Sequence, residues 1–247
     1  MRNRPYQRGG ERYARQKGHD GRMTRQKVGR AAWVSIFALS LLQIITAPSV
    51  MGATAQETVV KAVSKIPIKG RAPKTGYARA QFGQAWADIN RNGCDSRNDI
   101  LKRDLTRVVF KVNTRSCVVA SGLLHDPYSG TDINFVRGNK TSSEVQIDHI
   151  VSLSNAWQTG AFKLTVQVRT EMANDPLELL AVKGSLNQQK SDGDAATWLP
   201  PLKSYRCAFV ARQVAVKSKY NLWLTKPEKD AILRVIASCP NQLIPSQ

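Results

Sequence analysis

The sequence predicts an α+β domain built around a strand–loop–strand–helix unit, with a β-hairpin and further helices around it and disulfide bonds as staples. Two short segments have the length and composition of strands: 144–151, which alternates and then turns apolar, and the mainly apolar run 177–182. A segment with helix signals follows the second run, and other segments of helical periodicity flank the pair. Four cysteines, an even number, lie downstream of an apolar leader, which indicates an exported and oxidised chain.

The leader has the features of a secretory signal. Residues 31–47 (AAWVSIFALSLLQIITA) are uncharged and mostly apolar, follow a basic segment and precede the small-residue cleavage pattern at 53–55. We therefore predict a signal peptide over 1–55, with Met23 as an alternative start. An uncleaved membrane anchor is the other interpretation, because an apolar run of this length approaches the lower limit for a span.

The rest of the chain divides into a linker and one domain. Residues 56–75 have mixed polarity and end in Pro and Gly, so they are interpreted as a linker. Residues 76–247 are interpreted as the functional domain, a length sufficient for its own core.

The strong positive charge belongs to the domain as well as to the leader. The chain has 37 Lys and Arg against 18 Asp and Glu; residues 1–55 hold 10 and 2 of these, which leaves 27 and 16, a net charge of +11. A basic surface attracts polyanions such as nucleic acids. Solubility or adhesion to a cell wall would explain the same charge.

The first half of the domain contains two predicted helices and three extended segments. Phe82, Trp86 and Ile89 recur at helical spacing and predict a helix over 76–89. Asp95 is placed to cap a second helix. The extended segments are rich in β-branched and apolar residues, and the first two form a predicted hairpin: 106–112, 116–124 and 131–136.

The second half contains the strand pair and the closing helices. The Asn-Asp-Pro segment 174–176 ends the helix before it, because proline lacks an N–H and restricts the preceding residue. Ser185 is placed to cap a helix directly after the second strand. Four other segments also have helical character: 154–160, 161–172, 205–220 and 226–238.

The cysteines are interpreted as structural. Cys94, Cys117, Cys207 and Cys239 allow three pairings, and their proximity in sequence favours Cys94–Cys117 and Cys207–Cys239. A zinc knuckle is not indicated, since the sequence contains no CxxC and no second histidine beside the cysteines.

Polar side chains gather at the ends of the predicted strand pair. Asp148 and His149 close the first strand, and Asn174 lies in the long loop that follows. Asn187 and Lys190 lie three residues apart on the next helix and so share a face. Strand, long loop, strand and helix in this order is the arrangement of a ββα-metal unit.

These residue types suit the hydrolysis of a phosphodiester bond. That reaction needs a base to deprotonate water and a cation to neutralise charge on the phosphate. A neutral imidazole is suited to the first role, so His149 is the candidate general base. Carboxylate and carboxamide oxygens suit a hard cation such as Mg²⁺, so Asp148 and Asn187 are the candidate ligands. Lys190 is a candidate contact for a phosphate oxygen.

Three segments, IDHIVSLSNAW, ANDPLELLAV and GSLNQQKSDGDAATWLPP, resemble the HNH endonuclease superfamily, which has the ββα-metal (His-Me finger) fold. More narrowly, they are similar to secreted bacterial HNH proteins related to the nuclease domain of GmrSD-type restriction enzymes, over roughly 76–239. The resemblance implies that His149 is the general base and that Asp148 and Asn187 bind the metal. It also implies that Asn174, in the middle position of the motif, braces the loop and orients the histidine.

The function implied by the resemblance is that of an exported endonuclease that depends on one Mg²⁺ or Mn²⁺ ion and cleaves DNA, with RNA as a further substrate. The protein is expected to be a secreted or cell-surface bacterial monomer that contacts the membrane only transiently, through its signal peptide. Two positions depart from the pattern: Ser152 stands where the group usually has Pro or Ala, and Asn187 where many HNH enzymes have His.

Each feature also has a structural interpretation. An Asp-His pair is weak evidence alone, Asn174 could simply end a helix, and Asn187 could be an ordinary first-turn residue. His125, which precedes Asp126, enters a tight turn and is predicted to be structural. Three tryptophans are predicted to fill the core rather than stack on bases: Trp86, Trp157 and Trp198.

The alternative function is a catalytically inactive surface module that binds nucleic acid through its basic charge. A cell-wall or peptide hydrolase is not indicated, because HExxH, GxSxG and a cysteine-nucleophile context are missing from the sequence.

Overall fold

In a computed structural model, residues 56–139 and 141–245 are described, and they form an α+β fold with two antiparallel sheets. The predicted signal peptide, 1–55, lies outside the described residues. Within those ranges, no helix has both the length and the apolar character needed to cross a bilayer.

The strands and helices alternate irregularly along the chain. The strands are β1 (Leu105–Phe110), β2 (Val119–His125), β3 (Asp132–Val136), β4 (Val145–His149) and β5 (Leu179–Lys183). The α-helices are α1 (Val59–Lys65), α2 (Ser96–Asp104), α3 (Leu153–Gln158), α4 (Val166–Ala173), α5 (Gly184–Lys190), α6 (Arg206–Lys219) and α7 (Lys226–Ile236). Short 3₁₀ turns occupy Arg79–Phe82, Ala161–Lys163 and Lys203–Tyr205.

The predicted strand–strand–helix order is confirmed. Strands β4 and β5 pair antiparallel, with His149 opposite Leu179. Helix α5 follows β5 without a loop and packs against both strands. The turn depends on Gly184, because a Cβ there would lie 1.9 Å from the carbonyl oxygen of Ser143. The helix therefore begins close beside the start of β4.

The strand pair is buried on both faces. Leu179 and Ala181 of β5 lie in the core cluster that contains helix α2 and strand β2. Leu180 and Val182 face the opposite way, into the cluster formed by α1, α6 and α7. Successive side chains of a strand point to opposite faces, so a strand covered on both sides is apolar throughout. This burial fixes the position of the chain at the end of β4.

The first sheet, in the order β1-β2-β3, confirms the predicted hairpin and the extended segment after it. The predicted cap of α2 is also confirmed: the side chain of Asp95 accepts a hydrogen bond from the backbone N–H of Asn98 at 2.8 Å. Such a cap satisfies a helix N–H that has no partner within the helix.

The two predicted disulfides, Cys94–Cys117 and Cys207–Cys239, are both present. The first joins the chain before α2 to the β1–β2 connection. The second joins the start of α6 to the chain after α7. Each bond restricts the unfolded chain and so favours the folded state.

Residues 56–75, predicted as a linker, include helix α1, whose Val59, Ala62 and Val63 are buried in the main core. Backbone bridges attach the segment further, between Thr58 and Leu243 and between Ile68 and Leu224. The prediction that these residues form a linker is wrong, because the apolar side chains of α1 pack against the closing helices α6 and α7.

Two predicted helices are shorter than their periodicity suggests. In 76–89 only the 3₁₀ turn at Arg79–Phe82 forms, because Gly83 takes a positive φ of 72° and directs the chain elsewhere. In 161–172 a 3₁₀ turn precedes α4, which begins only after Thr165 caps it. The chain between 76 and 95 is therefore mainly irregular.

Candidate active site

The end of β4 and the helix α5 form a polar cavity of about 320 Å³. Asp148, His149 and Asn187 all line it. Lys74 and Arg79 lie at the same cavity and bring positive charge to it. A base candidate, a carboxylate and an amide therefore face one common space.

The tautomer of His149 follows from its hydrogen bond. Its Nε2 lies 3.0 Å from the backbone carbonyl of Ala173, and a carbonyl can only accept. Nε2 therefore carries the proton, and Nδ1 is left with a free lone pair. His149 is 8% exposed, and burial, helped by the positive charges of Arg79 and Lys190, lowers the pKa of His149 to about 3. At neutral pH the ring is therefore uncharged.

The Asp148 carboxylate accepts hydrogen bonds from two buried side chains. Its Oδ1 accepts a hydrogen bond from Lys190 Nζ at 2.9 Å, and its Oδ2 accepts one from the hydroxyl of Tyr128. Burial, followed by the neighbouring Asp148 charge, raises the pKa of Tyr128 well above its ordinary value, so the phenol stays a donor. The carboxylate is thus fixed in one orientation while each oxygen keeps a second lone pair.

Lys190 lies on the closed side of the site. Its ammonium group is fully buried, and it also donates to the backbone carbonyl of His149 at 2.7 Å. The expectation that Lys190 meets a phosphate oxygen does not fit this geometry, because the last turn of α5 packs the side chain against β4. Lys190 instead joins Asp148 to the backbone of the candidate base.

Asn187 stands one turn earlier in α5 and remains at the cavity. Its amide nitrogen donates to Gln146 Oε1 at 2.9 Å, which fixes the amide plane and leaves Oδ1 as the atom suited to bind a cation. Lys190 and Asn187 therefore share a helical face, as predicted, but only Asn187 is accessible.

The donor set fits a hard cation held by few protein ligands. Asp148 offers a carboxylate oxygen, Asn187 an amide oxygen, and Asp192 lies at the same cavity. Among residues 56–139 and 141–245, no group of three or more His, Cys, Asp or Glu side chains comes together for a metal. Mg²⁺ often binds through one or two carboxylates, completed by water and substrate phosphate, so this set is sufficient for it.

Asn174 acts on the loop and not directly on the histidine. Its Oδ1 accepts from the hydroxyl of Ser96 at 2.7 Å, and its Nδ2 donates to the carbonyls of Thr170 and Gln84. These bonds fix the end of α4, where the Ala173 carbonyl accepts the hydrogen bond from His149 Nε2–H. Asn174 therefore fixes the backbone next to the carbonyl that accepts the His149 hydrogen bond.

Glu178 also braces the site, and sequence reasoning missed it. Its Oε2 accepts from the N–H of Val151 at 3.1 Å, and its backbone carbonyl accepts from the N–H of Ile150 at 2.9 Å. The side chain is fully buried, and burial raises the pKa of Glu178 well above its ordinary value. A charged residue type within the apolar run LELLAV was the available signal, since buried glutamates are rare.

Replacement of Glu178 by glutamine is expected to flatten the pH dependence of stability. The folded-state pKa is raised above the unfolded value of about 4.3, so this group's contribution is complete below that pH and is lost as pH rises toward the folded-state pKa. The slope of that loss is about 1.4 kcal/mol per pH unit, and glutamine does not titrate. Urea unfolding of both proteins between acidic and mildly alkaline pH measures the difference.

The matched control for this measurement is Glu171→Gln, because Glu171 is exposed on α4. Its profile is expected to follow that of the wild-type protein. Profiles of wild type and Glu178→Gln that run parallel at all pH values would contradict the prediction.

His125 and the highlighted tryptophans do not line the polar cavity. His125 is exposed and pairs with Asp132 at 2.8 Å, outside the cavity, as its structural interpretation predicts. Trp157 is buried, whereas Trp86 is only partly buried and lies beside His149. Core filling is therefore an incomplete description of Trp86.

Fold and site together define the class of this protein: an α+β domain in which a strand–strand–helix unit presents a neutral histidine, a carboxylate and an amide to one cavity. A family model described as "GmrSD restriction endonucleases, C-terminal domain" matches residues 95–235, which is more than half of the chain. The chain belongs to this nuclease-related family. The match includes every residue of the predicted site.

A curated relative extends the similarity beyond the family model. It is described as an "Uncharacterized secreted protein" of Arthroderma benhamiae and is 34% identical over 196 residues, which is 78% of this chain and 89% of the relative. Because that organism is a fungus, the relative gives no support to the expected bacterial origin. No solved structure matches the chain.

Proposed function

We propose that the protein is an exported, divalent-metal-dependent endonuclease that hydrolyses phosphodiester bonds of DNA, with RNA as a further substrate, and that His149 is its general base. The observation that carries the proposal is the shared cavity of His149, Asp148 and Asn187 at the end of the strand pair. Membership of a restriction endonuclease family supports the reaction class.

His149 is suited to activate water. In the proposed step, Nδ1 takes a proton from a water molecule while the water oxygen forms a bond to phosphorus and the bond to the leaving oxygen breaks. The Ala173 carbonyl, which accepts from Nε2–H, keeps Nδ1 unprotonated and offsets part of the burial and positive charge that disfavour the imidazolium. Asn174 holds this carbonyl in place through the end of α4.

Asp148 and Asn187 would hold the metal ion, which would supply positive charge to neutralise the phosphate in the transition state. The buried Tyr128 and Lys190 side chains orient the Asp148 carboxylate, so that its remaining lone pairs are available on the cavity side. Asn187 is oriented in the same way by Gln146.

The surroundings of the cavity favour a polyanion. Arg79 and Lys74 line it, both are exposed, and residues 56–247 carry a net charge of +11 from 27 basic and 16 acidic residues. Positive potential raises the local concentration of a phosphodiester chain and its rate of encounter.

Export of the protein is supported by two independent observations. Both disulfides are of the kind that persists in an oxidising compartment, and the fungal relative is described as secreted. The predicted signal peptide over 1–55 agrees with these observations.

Metal removal is expected to lower the rate of plasmid cleavage by a factor of about 10² or more, because charge neutralisation by a metal is worth several kcal/mol. The measurement is conversion of supercoiled plasmid to nicked and linear forms, with Mg²⁺ or Mn²⁺, with EDTA, and with excess Mg²⁺ restored. A thermal unfolding curve in EDTA checks that the fold is retained.

Asn187→Ala should raise the Mg²⁺ concentration needed for half-maximal rate, whereas Asn241→Ala, at an exposed position away from the cavity, should not. Cleavage that is unaffected by EDTA would exclude the proposed metal dependence. Binding of plasmid without cleavage in either metal would favour the inactive binding module instead.

A further inference from the structure

His149 also lines a second cavity, of about 280 Å³. Its walls are mainly apolar and aromatic and include Phe82, Trp86 and Leu153. Arg79 and His149 line this cavity as well as the polar one, so the two spaces adjoin at the candidate base. The second cavity is referred to below as the apolar cavity.

The wall formed by residues 79–86 is anchored at several points. The buried guanidinium of Arg169 donates to the carbonyl of Gln81 at 2.6 Å, and the Asn174 amide donates to the carbonyl of Gln84. Gly83 has a φ of 72° and approaches α4 so closely that a Cβ would lie 1.9 Å from the hydroxyl oxygen of Thr170. The apolar cavity is therefore a preformed feature of the fold.

Trp86 is held in an unusual way. Its φ of 59° is rare for a bulky side chain and carries a conformational cost. Its backbone carbonyl accepts a hydrogen bond from the N–H of Ser96 at 3.3 Å. Its indole ring is partly exposed and lies nearly parallel to the His149 ring, at 23° and with centroids 6.2 Å apart. The backbone thus presents a flat aromatic surface beside the candidate base.

We propose that the apolar cavity binds the nucleobase of a nucleotide adjacent to the phosphate that is cleaved, with Trp86 as the stacking surface. The inference rests on the proposed function and extends it to the substrate. A phosphate in the polar cavity places the neighbouring base within reach of the adjoining space, and Arg79, shared by the two cavities, offers positive charge to the connecting backbone.

The size and chemistry of the cavity fit such a group. A nucleobase is smaller than the drug-sized ligands that occupy cavities of about 300–1,000 Å³. Aromatic side chains bind bases through their π-faces with little dependence on sequence. The cavity therefore favours the presence of a base over the identity of the base.

A preference for single strands follows from the same geometry. A base can enter the cavity only if it leaves its helical stack, which costs a few kcal/mol in a duplex and least in a single strand. Single-stranded DNA or RNA is therefore the expected better substrate, and duplex DNA is expected to be cleaved where it opens.

The test is a scan of single-stranded oligonucleotides in which an abasic residue replaces one nucleotide at a time. Cleavage at each bond is read on a sequencing gel relative to distant bonds in the same molecule. For the wild-type protein, bonds adjacent to the abasic residue on one side should be cleaved roughly 5- to 150-fold less, as expected from loss of one base–aromatic stack. For Trp86→Ala the pattern should be uniform, with cleavage of the unmodified strand lowered by a similar factor.

Two variants separate stacking from other effects. Trp86→Phe keeps an aromatic face and should retain part of the dependence on the adjacent base. Phe162→Ala removes an exposed aromatic ring outside both cavities and should behave as wild type. Thermal unfolding of each variant checks the fold.

A wild-type protein that cleaves bonds beside abasic residues as fast as other bonds would overturn the inference while leaving the endonuclease proposal intact. So would a Trp86→Ala variant that retains the wild-type dependence on the adjacent base. If no substrate is cleaved, the endonuclease proposal fails, and equilibrium binding of the unmodified single strand in EDTA decides the inference: weaker binding by Trp86→Ala than by Phe162→Ala supports it, and equal binding overturns it.

Discussion

Replacement of His149 by alanine is expected to lower kcat for plasmid cleavage by a factor of about 10²–10⁴, the usual contribution of a general base, with little change in KM. His149 is the neutral imidazole of the cavity, and its free Nδ1 is fixed by the bond from Nε2–H to the Ala173 carbonyl. In the proposed mechanism His149 acts on the attacking water, so its loss removes an interaction of the transition state and leaves phosphate binding intact. Initial rates over a range of plasmid concentrations at saturating Mg²⁺ separate kcat from KM.

His125→Ala is the matched control for this experiment. His125 is exposed and bonded to Asp132, outside both cavities, so its replacement should leave the rate unchanged. Added imidazole should partly restore cleavage by His149→Ala, because the truncated side chain leaves space at the cavity for a diffusible base. A His149→Ala variant with wild-type kcat would remove the proposed mechanism.

The parts of the fold that the sequence predicts well are those with local causes. Asp95 caps α2 because its short side chain can reach a free backbone N–H only a few residues away. The second strand of the pair can be predicted because 177–182 is apolar at every position except Glu178, as expected of a strand buried on both faces. The strand β5 then begins at Leu179, within that run.

The helix predicted over 76–89 shows where local periodicity is insufficient. Phe82, Trp86 and Ile89 have helical spacing, but the structure sends them to different places. Phe82 enters one core cluster, Trp86 contacts another, and Ile89 is 39% exposed. A spacing pattern shows that residues are apolar but does not show which partner each one contacts. It also does not predict the positive φ of Gly83, which ends the 3₁₀ turn.

The same limit applies to the candidate site. The sequence predicts that Asp148, His149 and Asn187 share a site, and the structure gives them one cavity. The sequence alone cannot specify how deeply each side chain is buried, because burial depends on what packs against the helix. Lys190 is buried because Asp148, 42 residues away in sequence, lies opposite it. Glu178 could not be predicted because its contact with Val151 exists only after β4 and β5 have paired.

Replacement of Lys190 by methionine is expected to lower the free energy of unfolding by about 3–5 kcal/mol, the usual cost of removing one partner from a buried ion pair. Methionine has a similar length but leaves the buried Asp148 carboxylate with the Tyr128 hydroxyl as its remaining donor among the described residues. It also removes the donor to the His149 carbonyl. Domains have only about 5–15 kcal/mol of stability in total, so the loss is a large share. Urea unfolding at constant pH measures it.

The double variant Asp148→Asn, Lys190→Met should recover part of this loss, because neither charge then remains buried without its partner. Lys226→Met is the control, since Lys226 forms an exposed pair with Asp230 that is worth at most about 1 kcal/mol. A loss in Lys190→Met no larger than in Lys226→Met would show that the ammonium group is solvated and not confined beneath Asp148. A large loss that the double variant relieves would instead identify Lys190 as the group that holds the candidate metal ligand and the backbone of the candidate base in one geometry.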